Sequence, residues 1–358
     1  MSKVIRVLHV VNLSSFGGIQ KLLLELAEEI NKNPDYSTDL LSISGVDLFK
    51  DRVPSDLKVM HNKDNNVLKK IKNIIKVMNN FDIINFHGPY TIFQIAGFFV
   101  NKKMVYTEHG TMQKSNIKNN LKHFFQKRVV GLSFLKRKVN AVIFISRWLK
   151  KDLSFVEKKS VVISNGIKHI QPPVENKNRD EIIITIAGRL IAKKRVNLAV
   201  DVMHKLKDHK HIKLQVIGDG VEFNSLEKRA GELLNKTVFF LGYRHDAYEL
   251  ISSSDFYLMT TDYEPFGLVV LEAMMGGSIV FCLKDSGGPV EFLGEQFPQL
   301  VFDSVDDLAK GVLEYSSNID LMEKLKLELK EEFTNNFTIS TMAKNYLNLY
   351  SKCMRDEF

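Results

Sequence analysis

Short runs of branched and aromatic residues alternate with amphipathic helical stretches along almost the whole chain. Val4–Val11 reads as a strand, followed by Ser14–Ile19 as a turn and a helix over residues 19–30. Further strands are expected at 38–43, 83–87, 104–108, 142–146 and 160–164. A second series opens at Ile182–Ala187 and continues at 214–217, 238–241, 256–259 and 278–283. Strands separated by helices need crossover connections, and these lay helices on both faces of a parallel sheet. Between the two series, residues 170–179 hold paired prolines followed by polar residues and read as a linker. A chain of 358 residues suits two domains better than one. The expected class is α/β, with two doubly wound Rossmann-like domains, 1–172 and 173–335, facing each other across a cleft. Ligands in such sheets lie beyond the C-terminal strand ends. The helical pattern from Met322 to about Lys352 gives a last segment, 336–358, expected to pack back on the first domain.

Composition removes several classes. Two cysteines, Cys282 and Cys353, cannot form a disulfide framework or a cysteine-rich zinc site. The apolar stretch at 93–100 falls far short of the ~20 residues that span a bilayer. Met1 leads into a strand-like run and not into a secretory leader, so a soluble, cytoplasmic protein is expected. The net charge of +8 is uneven: residues 1–172 hold 28 Lys and Arg against 13 Asp and Glu, or +15, and the remainder is −7. Such a half suits an anionic partner. Between Lys114 and Lys138 there are eight cations, Lys114, Lys118 and Lys122 among them, and no acid. Apolar residues fall between them at helical spacing, as in a helix lying in a membrane interface or meeting a lipid-bearing acceptor. A solvated lysine face is the plainer alternative, and nucleic acid the least favoured partner.

The chemistry concentrates in two stretches. A strand runs into Gly188 and Arg189, followed by Lys193, Lys194 and Arg195 ahead of a helix. Cations at a strand end beside a helix N-terminus suit a phosphate or diphosphate. Some 70 residues on, the strand 256–259 leads to Glu264, then Pro265, Phe266, Gly267 and Leu268 at a helix start, with Glu272 inside that helix. Carboxylates grip vicinal hydroxyls, so cations and carboxylates together point to a sugar nucleotide. His87 lies at a strand end, where it lines a ligand cleft or serves the fold.

These stretches, Gly188-Arg-Leu-x3-Lys194 and Glu264-Pro-Phe-Gly-x4-Glu272-Ala, resemble the signature of the retaining glycosyltransferases of family 4, which have the two-domain GT-B fold. The resemblance extends to Phe16-Gly17-Gly18, Thr107-Glu-His109-Gly110, Phe144-Ile-Ser146, Asn165-Gly166-Ile167, Gly218-Asp-Gly220 and Gly287-Gly-Pro-Val-Glu291. It implies that Arg189 and Lys194 hold the donor diphosphate, that Gly188 belongs to the donor site and that Glu272 binds the ribose. Glu264, with the backbone of Phe266, Gly267 and Leu268, would contact the transferred sugar. His109 would lie near the reacting centre, and Gly17 and Gly18 would approach the donor phosphates. His87, Lys114, Lys118 and Lys122 are placed on the acceptor side. The chain departs from the family at Lys168, where an Asp often stands, and at Arg195, where a Gly is usual. Glu108 could raise the pKa of His109 or pair with a lysine.

The resemblance implies an enzyme, a hexosyltransferase moving a hexosyl unit from a UDP- or GDP-sugar to a cell-surface glycan or lipid-linked saccharide at the inner membrane face. Front-face substitution, with the leaving diphosphate taking the acceptor proton, is favoured over a Glu264 nucleophile. No Asp-x-Asp occurs, so neither cofactor nor metal is expected. The Lys, Asn and Ile content suggests a bacterial source and polysaccharide or lipopolysaccharide assembly. Alternatives are a nonhydrolysing sugar-nucleotide epimerase on the same scaffold and a non-enzymatic binder of anionic glycan or nucleic acid.

Overall fold

The structure, a computed structural model, describes residues 3–14, 17–43, 53–55, 57–61, 66–110, 131–151, 159–171 and 180–357. The chain forms two compact units, one of Met1–Lys168 with Ile339–Phe358 and the other of His169–Thr338. Among the described residues no helix is long and apolar enough to cross a membrane.

The first unit is built on seven parallel strands, β1 (Ile5–Val11), β2 (Tyr36–Ser42), β3 (Val59–His61), β4 (Ile83–Phe86), β5 (Lys103–Glu108), β6 (Ala141–Phe144) and β7 (Ser160–Val162), in the order β3-β2-β1-β4-β5-β6-β7. The order reverses between β1 and β4, where Val7 pairs with Ile83 and Val10 with Phe86. Val7, Leu8, Val10, Ile83, Ile84 and Ile143 are fully shielded from solvent or nearly so. Such near-continuous apolar strands are what a sheet covered on both faces requires.

The second unit repeats the plan with β8 (Ile182–Ala187), β9 (Ile212–Ile217), β10 (Val238–Gly242), β11 (Phe256–Met259), β12 (Ile279–Leu283) and β13 (Val301–Phe302), in the order β10-β9-β8-β11-β12-β13. Its reversal lies between β8 and β11, with Ile184 opposite Phe256. Strand order reverses at the place where such sheets hold ligands.

The strands β3 and β13 are absent from the expected set because two or three residues carry too little periodicity to read. The long C-terminal pattern is two helices, Ile319–Asn336 and Ile339–Met354, with the chain returning to the first unit between them. The return is fixed within the first unit: the Ile339 N–H donates to the Ile167 carbonyl at 2.9 Å. Helix Ile339–Met354 packs on helix Gly18–Asn31, and the Ser340 hydroxyl donates to Glu29 at 2.6 Å. Lys168, the position with no acid to carry over, pairs at 3.6 Å with Glu28.

Candidate active site

In the second unit the site grows from the end of β8. Gly188 and Leu190 bond to the β9 end and its turn: the Gly188 N–H donates to the Ile217 carbonyl at 2.9 Å and the Leu190 N–H to the Asp219 carbonyl at 2.8 Å. Contact is so close that a Cβ on Gly218 would lie 1.9 Å from the Gly188 oxygen. Backbone approach of this kind fixes the direction in which Arg189 leaves the strand. Arg189 is exposed, and its guanidinium has no ion-pair partner among the described residues. Five residues on, Lys194 donates to Glu264 Oε2 at 2.9 Å, with both side chains about three-quarters buried or more.

Glu264 is held from the other side by the β12 turn. Its N–H donates to the Ser286 carbonyl at 2.9 Å, and its carbonyl accepts from the Gly288 N–H at 2.7 Å. Gly267, at φ 84°, then turns the chain into helix Leu268–Gly276, which no side chain caps. The Val270 N–H donates to the Gly267 carbonyl at 2.9 Å, while those of Leu268 and Val269 lack intrahelical acceptors, as at any uncapped helix start. Phe266 is buried beside Phe292 and so anchors the turn. Glu272 sits one turn into the helix and is half-buried. Tyr257 shows that the parts converge: its hydroxyl donates to the Ala187 carbonyl at 3.3 Å. Burial first, then the Glu272 and Glu264 carboxylates, push that phenol far up. Burial and Glu272 likewise push Tyr248 up to about 12.

Arg195 has a different task from Arg189 and Lys194. Its guanidinium grips Asp285 with two bonds of 2.6 Å, and its Nε donates to the Thr260 carbonyl at 2.6 Å. The Arg195 guanidinium in turn holds the Asp285 carboxyl below the usual carboxylate range. The extra cation thus ties the β8, β11 and β12 ends together. A cavity of about 410 Å³ opens beside it, but its charged residues Arg195, Asp285, Lys284 and Asp303 pair with one another.

The first unit carries a different cluster at the ends of β1, β4 and β5. His87 Nε2 lies 2.6 Å from His9 Nδ1, and His87 Nδ1 lies 2.8 Å from His109 Nε2. All three rings are buried, His109 the most open at 8%. Burial pushes His9 down to about 3 and His109 to about 4, and it holds His87 well below the ordinary range. All three are therefore neutral at pH 7. Glu108 does not raise His109: its carboxylate accepts from the Tyr106 hydroxyl at 3.0 Å and the Gly110 N–H at 3.2 Å.

The structure therefore brings together Gly188, Arg189, Lys194, Glu264, Phe266, Gly267, Leu268 and Glu272 in the second unit, and His87 and His109 in the first. Gly17 precedes helix Gly18–Asn31 in the first unit. Lys114, Lys118, Lys122 and Phe16 lie outside the described residues. Sequence reading missed His9, Asp285 and Tyr257. For His9 a signal existed, since a histidine inside an apolar strand must find a buried partner.

Two family models match the chain, Glycosyltransferase Family 4 over residues 16–169 and Glycosyl transferases group 1 over 168–332. An uncharacterized glycosyltransferase of Methanocaldococcus jannaschii is 27% identical over 308 residues, 78% of this chain and 77% of that protein. The poly(ribitol-phosphate) alpha-N-acetylglucosaminyltransferase of Staphylococcus aureus is 22% identical over 70% of this chain, which spans 53% of that enzyme. Among solved structures, Anabaena Alr3699/HepE in complex with UDP and glucose superposes with a TM-score of 0.79 at 18% identity, over 97% of this chain and 100% of that one. The two models together account for residues 16–332, and the chain belongs to the group 1 glycosyltransferases of family 4 type, enzymes of GT-B fold.

Proposed function

We propose that this glycosyltransferase moves a hexosyl unit from a UDP- or GDP-sugar, with retention at the anomeric carbon, to a cell-surface or lipid-linked saccharide. The observation that carries this reading is the second unit's cluster: an exposed Arg189, without an ion-pair partner among the described residues, beside a Lys194–Glu264 pair, with Glu272 close by. Two cations match a diphosphate, and two carboxylates match the hydroxyls of a ribose and a hexose. A diphosphate competes with Glu264 for Lys194, and in doing so frees Glu264 to accept from the sugar. The Anabaena structure with UDP and glucose supports the donor class.

In the proposed reaction the bond from the anomeric carbon to the β-phosphate oxygen breaks, and that carbon bonds the acceptor oxygen on the same face. The acceptor proton passes to the departing phosphate oxygen. Arg189 and Lys194 stabilise the charge that grows on the diphosphate. Glu264, once freed, is assigned a hydroxyl of the transferred sugar and not its anomeric carbon, so front-face substitution is favoured over a Glu264 nucleophile. With two cations placed on the leaving group, no metal is required.

The acceptor reading rests on the charge of +15 over residues 1–172 and on a relative named for a poly(ribitol-phosphate) acceptor. Peripheral contact with an anionic inner membrane face is supported by helix Val67–Met78, which carries Lys69, Lys70, Lys72 and Lys76 and leaves Val67 and Leu68 largely exposed. The function is tested by incubating purified protein with a panel of nucleotide sugars, with and without saccharide and lipid-linked acceptors. Release of nucleoside diphosphate that depends on acceptor and persists in EDTA, with product retaining the donor's anomeric configuration, is expected. An inverted product would overturn retention, and no release with any pair would overturn the reading.

A further inference from the structure

We propose that Tyr350, His9 and His87 are positioning residues that lock His109 in the tautomer with its proton on Nδ1, so that His109 faces its ligand as a hydrogen-bond donor and not as a base. All the residues belong to the first unit, although 341 positions separate His9 from Tyr350.

A neutral imidazole has one N–H and one bare nitrogen, so in a row of rings the direction of every bond is set by whatever ends the row. Here the inner end is anchored. The Asn85 side-chain amide donates to the Tyr350 oxygen at 2.9 Å, while its carbonyl accepts from the Thr107 hydroxyl at 3.0 Å. With its oxygen already accepting, Tyr350 turns its own proton to His9 Nε2, 3.4 Å away. His9 must then carry its proton on Nδ1, which donates to His87 Nε2 across 2.6 Å. His87 Nδ1 in turn donates to His109 Nε2 at 2.8 Å. The one nitrogen left to hold the last proton is His109 Nδ1, and it is buried without a hydrogen-bond partner among the described residues. An unpaired buried donor is costly unless a ligand completes it.

The row does not relay protons. Losing the outer proton would require every proton to shift and leave a phenolate at Tyr350, whose fully buried hydroxyl is held far above the ordinary phenol range. The row is therefore a rigid donor suited to a neutral or partly negative oxygen. Resting on the transferase reading, that oxygen is a hydroxyl of a saccharide substrate, which is stabilised without being deprotonated.

The test is ring-nitrogen NMR of the full chain labelled with 15N-histidine, because protonated and bare ring nitrogens resonate far apart. His9, His87 and His109 are expected neutral at pH 7 with the proton on Nδ1. A proton on Nε2 of His109 overturns the proposal, since an inverted Asn85 amide would reverse the whole row. Tyr350→Phe removes the anchor, and His109 is then expected to show a mixture of tautomers. Asn85→Asp offers Tyr350 a carboxylate for its proton, so the row should reverse while the shape is kept. Unchanged tautomers in both variants overturn the role of Tyr350. Kinetically, Asn85→Asp should lower kcat by ~10² with the donor KM nearly unchanged. Nδ1-protonated rings in a protein that binds no nucleotide would count against the transferase reading alone. Nε2-protonated rings in an active enzyme would count against the row alone.

Discussion

The two units solve the same topological problem with opposite electrostatics. Each is a parallel sheet whose strand order reverses at corresponding places, β1/β4 in one and β8/β11 in the other. At the ends of β1, β4 and β5 stand His9, His87 and His109, dry and neutral. At the ends of β8, β11 and β12 stand Arg189, exposed to water, and Glu264 and Asp285, each paired with a cation. A diphosphate demands full positive charge, which is bearable only where solvent or a counter-ion is at hand. Distinguishing hydroxyls demands fixed dipoles, which are worth most where water is excluded. The fold supplies the positions, and burial decides which chemistry each can hold.

The comparison breaks first, and most visibly, at the charged end. Arg189→Ala or Lys194→Ala should cut turnover by ~10²–10³ without unfolding the protein, and only Lys194→Ala, which leaves Glu264 without its partner, should melt lower. Either variant retaining more than half the wild-type rate would remove that residue from the diphosphate site. The neutral end is probed by pH. The folded values of His9 and His109, about 3 and 4, lie below the ordinary 6.5. The unfolded chain therefore binds more protons in between, so their contribution is complete above pH 6.5 and is lost as pH falls toward those values. At pH 6 the loss is ~1 kcal/mol per ring, a drop of several degrees in Tm from pH 7.5. A flat Tm over that range would mean that the rings are not buried as neutral species.

Glu272→Ala should weaken nucleotide binding by about tenfold, the cost of a lost hydrogen bond to a charged group, without changing the melting curve. Unchanged affinity in a calorimetric titration would move the ribose site elsewhere. The smallest effect concerns Arg195, which sits at φ 46°. Arg195→Gly relieves a left-handed backbone but gives up the Asp285 pair, so its stability should stay within about 1 kcal/mol of wild type. Arg195→Ala keeps the strain and loses the pair, and should melt lower. Both should bind nucleotide normally, in contrast to Arg189→Ala.

Much of this was legible in the sequence because local pattern carries it. β8 and β11 fall where apolar runs predict, and Gly188-Arg189 and Glu264 to Glu272 follow at once. What escaped is non-local. Strands β3 and β13 exist through their neighbours, and the helix break at Phe337–Thr338 follows the chain's return to Ile167. Asp285 finds Arg195 across 90 positions, and Tyr350 finds His9 across 341. Nothing in a one-dimensional reading distinguishes those partners from the many other acids and tyrosines.

Ligand-dependent melting decides whether Arg189, which has no ion-pair partner among the described residues, takes a diphosphate. UDP, GDP, ADP and their sugar conjugates are added in excess to wild type and to Arg189→Ala. One diphosphate, at 100 times its Kd, should stabilise the wild type by ~2.7 kcal/mol and leave Arg189→Ala nearly unshifted. An equal shift in both proteins, or none in the wild type at millimolar ligand, would contradict the account.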